Sequence, residues 1–380
     1  MAHAYTPGLR VTEKARIERE RTLPLKGDVL VKTGDEVRAE DVVAKTELPG
    51  PVTIVNVVNQ LGIEPGEIRD YMLIKEGEKF TEGTPLAQNR PLFGLSFLRT
   101  VIKAPIDGTV ESVSEITGQM VLRKPPQPVQ VHAYFDGRVT HIIENEGVRL
   151  ETYASFAQGI FGIGGEVWGE LRVAVSSADE VLSADKLKPE HEGKLLVGGS
   201  HFTREAFDRA RELGVKGVVV GGFHDKDVRE ILGYDLGVAI TGHEEVGLTL
   251  VMTEGFGEIP MAQKTFSLLK AREGNRASLS GATQIRAGVI RPEIIIPYPR
   301  AEWDAISNSI EREQAAQAVQ IGDHIRVIRE PYFGRLGKVK ELTPALVRVE
   351  SETKVRVLEV EFEDGTAAVV PRANIERIED

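Results

Sequence analysis

The stretch Lys194–Asp225, KLLVGGSHFTREAFDRARELGVKGVVVGGFHD, decides the fold at the centre of this chain. Leu195, Leu196 and Val197 form a short apolar run closed by Gly198-Gly199, the pattern of a strand covered on both faces. The period then changes. Thr203 stands where a helix N-cap belongs, Phe207 and Ala210 recur three apart on one face, and Gly214 ends the run. VKGVVVGG (215–222) is a second apolar run, so the order is strand, helix, strand. Working outward, DKDVREILG (225–233) reads as a second helix, GVAITG (237–242) as a third strand and LTLVMTEGFG (248–257) as a fourth. This alternation predicts a small, open, mostly parallel α/β sheet within residues 190–300.

Ligands of such sheets bind at the carboxyl ends of the strands. Here those ends read GGSH, GGFHD, TGHEE and TEGFG. They bring His201, His224 and His243 to one edge, with Asp225, Glu244, Glu245 and Glu254 nearby. Imidazoles with carboxylates are the donor set of a divalent metal site, so His201, His224, His243 and Glu254 are the candidate ligands. Gly198, Gly199 and Ser200, placed before a helix, are candidates for holding an anion on backbone N–H groups. No glycine-lysine-serine/threonine sequence follows, so a P-loop is excluded. Further on, Arg286 and Arg291 flank a glycine and could clamp an acidic ligand.

Away from the centre the chain reads as a string of modules. Residues 1–22 are polar and are expected to form an arm or short helix. Residues 23–135 alternate short apolar runs with Gly-Asp and Pro-Gly turns, as a β domain does. Val31-x-x-Gly34-x-x-Val37, ending in Val43-Ala44, is echoed by Ile74-x-x-Gly77-x-x-Phe80, ending in Leu86-Ala87. KPPQPVQV (124–131) has the proline density of an extended connector. Residues 136–185 form a β extension whose Gly162-x-Gly164-Gly165 run reads as tight strand packing. Residues 301–320 form a helical connector, and 321–380 a run of short strands and turns.

Two segments carry resemblances. VKTGDEVRAEDVVA (31–44) and IKAPIDGTVESV (102–113) resemble the two halves of a biotinyl/lipoyl-type barrel-sandwich module. The wider layout is similar to sandwich modules of sodium-pumping or ferredoxin-linked oxidoreductase subunits. The resemblance implies an attachment lysine at a hairpin tip, but TELPGPV (46–52) has none, and Lys45 is out of place. No covalent biotin or lipoate is expected. VIREPYFGRLGKVKEL (327–342) resembles a KOW motif, which implies a small SH3-like barrel. The resemblance implies contacts to RNA or protein, for which Arg329, Tyr332, Phe333, Arg335 and Lys338 are the candidates.

Composition sets the limits. The 380 residues carry a net charge of −11, with 41% hydrophobic and 28% charged residues and no cysteine. Disulfides, cysteine-ligated zinc, iron–sulfur clusters and a cysteine nucleophile are excluded. The acidic balance opposes general attraction to nucleic acid or anionic lipid. With no apolar run of spanning length and no signal-like leader, a cytoplasmic protein without membrane contact is expected. The fold class expected is multi-domain and mainly β with an α/β middle: barrel-sandwich, small parallel α/β sheet and SH3-like barrel. The function expected is a non-enzymatic interaction, scaffold or self-assembly protein with protein partners or copies of itself. The alternatives are an enzyme or ligand-binding accessory subunit with an anion or metal site at the strand ends, and an RNA- or ribosome/transcription-associated protein. No cofactor is expected, a divalent metal being the one the histidines allow.

Overall fold

The computed structural model describes residues 9–89, 100–234, 244, 246–284, 290–317, 319–348 and 354–377. The protein is mainly β, built from several sheets, and divides into two compact units, Met1–Tyr298 and Pro299–Asp380. No described helix is long and apolar enough to cross a membrane.

A thirteen-stranded mixed sheet organises the first unit. Its parallel half contains Glu166–Val173, Leu195–Val197, Gly217–Phe223 and Thr249–Phe256 side by side. Every residue of Leu195–Val197 and Gly217–Phe223 is buried, as continuous apolar runs in a covered parallel sheet must be. The helix Arg204–Glu212 starts where Thr203 Oγ1 accepts the Ala206 N–H at 3.1 Å, and it buries Ala206, Phe207 and Ala210. Phe207 lies among Phe202 and Phe223; full burial of such a ring stabilises the fold by about 2–3 kcal/mol. A second helix, Asp225–Leu232, stops at Gly233 in the left-handed region. The expected strand 237–242 lies outside the described residues.

The sheet does not end there. Glu166–Val173 pairs antiparallel with Arg276–Ser280, and Glu293–Pro297 and Gly147–Gln158 follow. One sheet therefore runs through segments 136–185 and 190–300, which the sequence pattern divides. Phe161–Ile163 closes the far edge against Thr249–Phe256. A Cβ on Gly162 would stand 2.8 Å from the Gly281 and Leu250 carbonyl oxygens, the close approach expected of the glycine run.

Two expectations are corrected. Over its described part the polar N-terminal stretch is neither arm nor helix: Val11–Thr22 is a twelve-residue strand along one edge of Gly147–Gln158. Ala15 and Ile17 face the core, and charges on both faces find cross-strand partners. The proline-rich connector is also a strand, Gln127–His132, paired with Val42–Leu48.

The echo within residues 23–135 is structural. The Lys32 N–H donates to Asp35 Oδ2 at 2.8 Å, and the Lys75 N–H to Glu78 Oε2 at 3.0 Å. Gly34 and Gly77, both at positive φ, donate to the carbonyls of Val139 and Val110. The Ala39 N–H reaches Asp136 Oδ1 and the Glu82 N–H reaches Asp107 Oδ1, each aspartate preceding the glycine that opens the partner strand. The halves bury themselves separately. Val37 and Val43 pack with Phe135, Val139 and Leu150; Phe80 and Leu86 pack with Ile102, Val110 and Leu122.

The second unit opens with the helix Trp303–Gln317 and continues as a five-stranded antiparallel sheet. Its order is Ala367–Pro371, Lys354–Phe362, Leu336–Arg348, His324–Val327, Ile375–Arg377, and no pairing among the described residues closes it. Ile325, Val327, Val339, Leu358, Val360, Phe362 and Val370 form its core.

Candidate functional site

The parallel strands deliver His201 and His224 to the same place. His201 sits on the short strand His201–Phe202, whose register sets it beside Gly222. His224 follows two residues later on that neighbouring chain and is the N-cap residue of Asp225–Leu232. Their ring centroids are 4.5 Å apart, tilted by 55°. His201 is only 7% exposed, its ring stacks over Phe223, and its Nδ1 is buried without a hydrogen-bond partner. Burial pushes the imidazole below its ordinary pKa and the neighbouring His224 adds to the fall. The Gly257 carbonyl and the Glu258 and Asp227 carboxylates pull the other way. His224 is exposed, so the pair joins a buried nitrogen to solvent.

The other strand-end candidates do not join them. Glu254 Oε1 accepts the Ala262 N–H at 2.9 Å, tying the loop before the helix Gln263–Ala271. His243 lies outside the described residues, as do Glu245 and Arg286. Of the three residues proposed for an anion, Gly198 and Ser200 have their N–H groups engaged otherwise. The Gly198 N–H donates to the Val219 carbonyl and the Ser200 N–H to the Glu180 carbonyl. Ser200 Oγ donates to the Asp179 carbonyl at 2.8 Å. A Cβ on Gly199 would overlap the Glu180 carbonyl, so this glycine answers a close backbone approach. Asp227 and Glu258 were not among the sequence candidates. Asp227, three residues after His224 in the first helical turn, is the one the spacing offered.

The hairpin corner that would carry an attachment lysine is closed. Gly50 is buried against the Lys124–Pro125 backbone, and its carbonyl accepts Arg123 Nη1 at 2.8 Å. Lys45 lies inside a strand, opposite Gln130.

In the second unit a turn joins His324–Val327 to Leu336–Arg348. The Val327 N–H donates to the Arg335 carbonyl and the Gly334 N–H to the Val327 carbonyl, closing it. Phe333 at its tip is 67% exposed, and Ile328 and Leu336 are also exposed. Tyr332 instead packs on Phe362, its ring 5.3 Å away. Arg335 lies over the Phe362 ring at 3.8 Å and pairs with Asp364 at 2.6 Å. Lys340 pairs with Glu359, and Arg326 with Glu376 at 3.8 Å. Of the basic stripe formed by Arg326, Arg329, Arg335, Lys338 and Lys340, Arg329 and Lys338 stand without an ion pair among the described residues. Lys338 borders a cleft of about 310 Å³ with His324, Leu336, Phe362 and Glu363.

Comparison of the chain with protein-family models and with curated proteins finds no match.

Proposed function

We propose that this is a non-enzymatic interaction protein that docks a partner protein through the exposed turn of its second unit. The observation that carries the reading is the surface chemistry of that turn. Phe333, Ile328 and Leu336 offer apolar area, and Arg329 and Lys338 border it. Three of the five cations in the stripe, Arg326, Arg335 and Lys340, already face carboxylates of the same sheet. A phosphate backbone needs unneutralised cations; an exposed aromatic anchor with a charged rim is what a protein interface uses.

In this reading the five-stranded sheet is an SH3-like barrel of KOW type, and residues 23–135 a barrel-sandwich module serving as framework. The repeated Gly34 and Gly77 turns, each clamped to an Asp-Gly-led strand, support the second assignment. The closed corner at Gly50 argues for a structural rather than a carrier role.

The test is affinity purification of the full-length wild type and of Phe333→Ala from the native cell at matched expression. Proteins held by the wild type in moderate salt, resistant to nuclease and lost from Phe333→Ala, are expected. Complexes that dissolve on nuclease treatment would favour the RNA reading, and complexes retained by the variant would remove the turn as the docking surface.

A further inference from the structure

We propose that His201 and His224 bind one divalent first-row transition-metal ion at the carboxyl ends of the parallel strands, with water completing the coordination. The proposal stands apart from the docking surface of the second unit.

Three observations converge on it. First, His201 Nδ1 is buried and unpartnered, although a buried polar atom is almost always hydrogen-bonded. A histidine serving only to fill space beside Phe223 would leave that cost unmet; a metal ion would meet it. Second, the rings are at a bridging distance. With metal–nitrogen bonds of about 2.0–2.1 Å, two imidazoles on one ion have centroids roughly 4.5–5 Å apart, and the observed 4.5 Å fits. Third, the pair opens to solvent on one side only: His224 is exposed and His201 is 7% exposed, so an ion can enter at one ring and be held at the other.

The frame is rigid on the His201 side, where the strand Val181–Leu182 and the strand Gly217–Phe223 flank it in parallel register. The His224 side is solvent-facing, which gives an ion its entry. Among the described residues no group of three donor side chains is preassembled. Two imidazoles then set the affinity, and water-filled positions remain open. Such an open site suits an exchangeable ion rather than a closed structural one. Nitrogen donors favour zinc, cobalt or nickel over magnesium or calcium.

The experiment is calorimetric titration of the metal-stripped full-length chain with Co²⁺, read in parallel by visible absorption. One ion per chain and ligand-field bands of nitrogen-bound Co²⁺ are expected, with Mg²⁺ failing to compete. His224→Ala, an exposed position whose loss leaves the core intact, is expected to weaken binding at least tenfold. His201→Ala does the same, and His324→Ala in the second unit leaves it unchanged. No binding by the folded wild type, or equal affinity in His224→Ala and wild type, overturns the proposal.

Discussion

At the scale of single residues, Glu151 shows how the polar face of the large sheet is held. It is 3% exposed, and both carboxylate oxygens are taken: Arg16 reaches Oε2 at 2.8 Å and Arg138 reaches Oε1. Burial alone would raise its pKa; the hydrogen bonds from Arg138 and Arg16 outweigh that and hold it below the ordinary value of 4.5. A lowered folded-state pKa stabilises the fold above the unfolded value, and that stability is lost as pH falls through the folded one. Glu151→Gln is therefore expected to cost about 2–3 kcal/mol at neutral pH, the modest end because both guanidiniums are partly solvated. In urea titrations the gap from wild type narrows as pH falls from 4.5 through the lowered folded-state value; a constant gap would show that the charge is not what matters. Gly199 makes the opposite kind of case, since it acts through what is missing. Gly199→Ala drives a methyl into the Glu180 carbonyl and is expected to lower stability by about 2 kcal/mol or more. Phosphate is expected to leave the wild-type melting temperature unmoved, because the flanking N–H groups are already bonded.

At the scale of elements, what could be read from the sequence depended on where each element's energy comes from. The segment Lys194–Asp225 was legible because its strands are apolar on both faces and its helix carries one apolar stripe; these patterns are written in single residues. Val11–Thr22 was not. One of its faces reads Ala15, Ile17, Arg19, Arg21 and the other Arg16, Glu18, Glu20, so hydrophobic alternation covers only two positions. The rest is paid by partners remote in sequence: Glu293 for Arg19, a bidentate Glu166 for Arg21, Arg149 for Glu20. No local pattern announces a partner that far along the chain. The strand Gln127–His132 was hidden for a related reason, its prolines suggesting a connector although register with Val42–Leu48 accommodates Pro128. Both proposed metal donors, His201 and His224, were legible from the strand ends. Because Val11–Thr22 covers one whole edge of Gly147–Gln158, deleting residues 1–22 is expected to expose a long unpaired edge beside Phe156 and Leu150. Light scattering is expected to show aggregation of the truncated chain at concentrations where the full chain stays dispersed. A dispersed, equally stable truncation would mean the strand is dispensable.

At the scale of the whole molecule, the distribution of buried apolar side chains implies unequal stability. The largest cluster lies around the parallel strands, drawing on Leu196, Val218, Val219, Leu250 and Met252 with Phe202, Phe207 and Phe223 beneath the helices. All are fully buried, and those on the strands sit mid-sheet, where each strand has neighbours on both sides. The second unit has one small cluster and a sheet that no pairing among the described residues closes, and a short chain buries a smaller share of its surface. Local opening free energies follow buried contacts, so amide exchange should separate the two. Peptides covering Gly217–Phe223 and Thr249–Phe256 are expected to exchange at least about tenfold more slowly than those covering His324–Val327 and Lys354–Phe362. Within the first unit, the turns at Gly34 and Gly77 are expected to exchange before the parallel strands, since each leads into a two-residue strand at the end of its sheet. In the proposed reading, a docking turn on the second unit can adjust to a partner without straining the sheet that positions His201. Equal protection of the two units in hydrogen-exchange mass spectrometry would overturn this ranking. The same peptides, measured in Phe333→Ala, should be unchanged because the ring contributes nothing to that core.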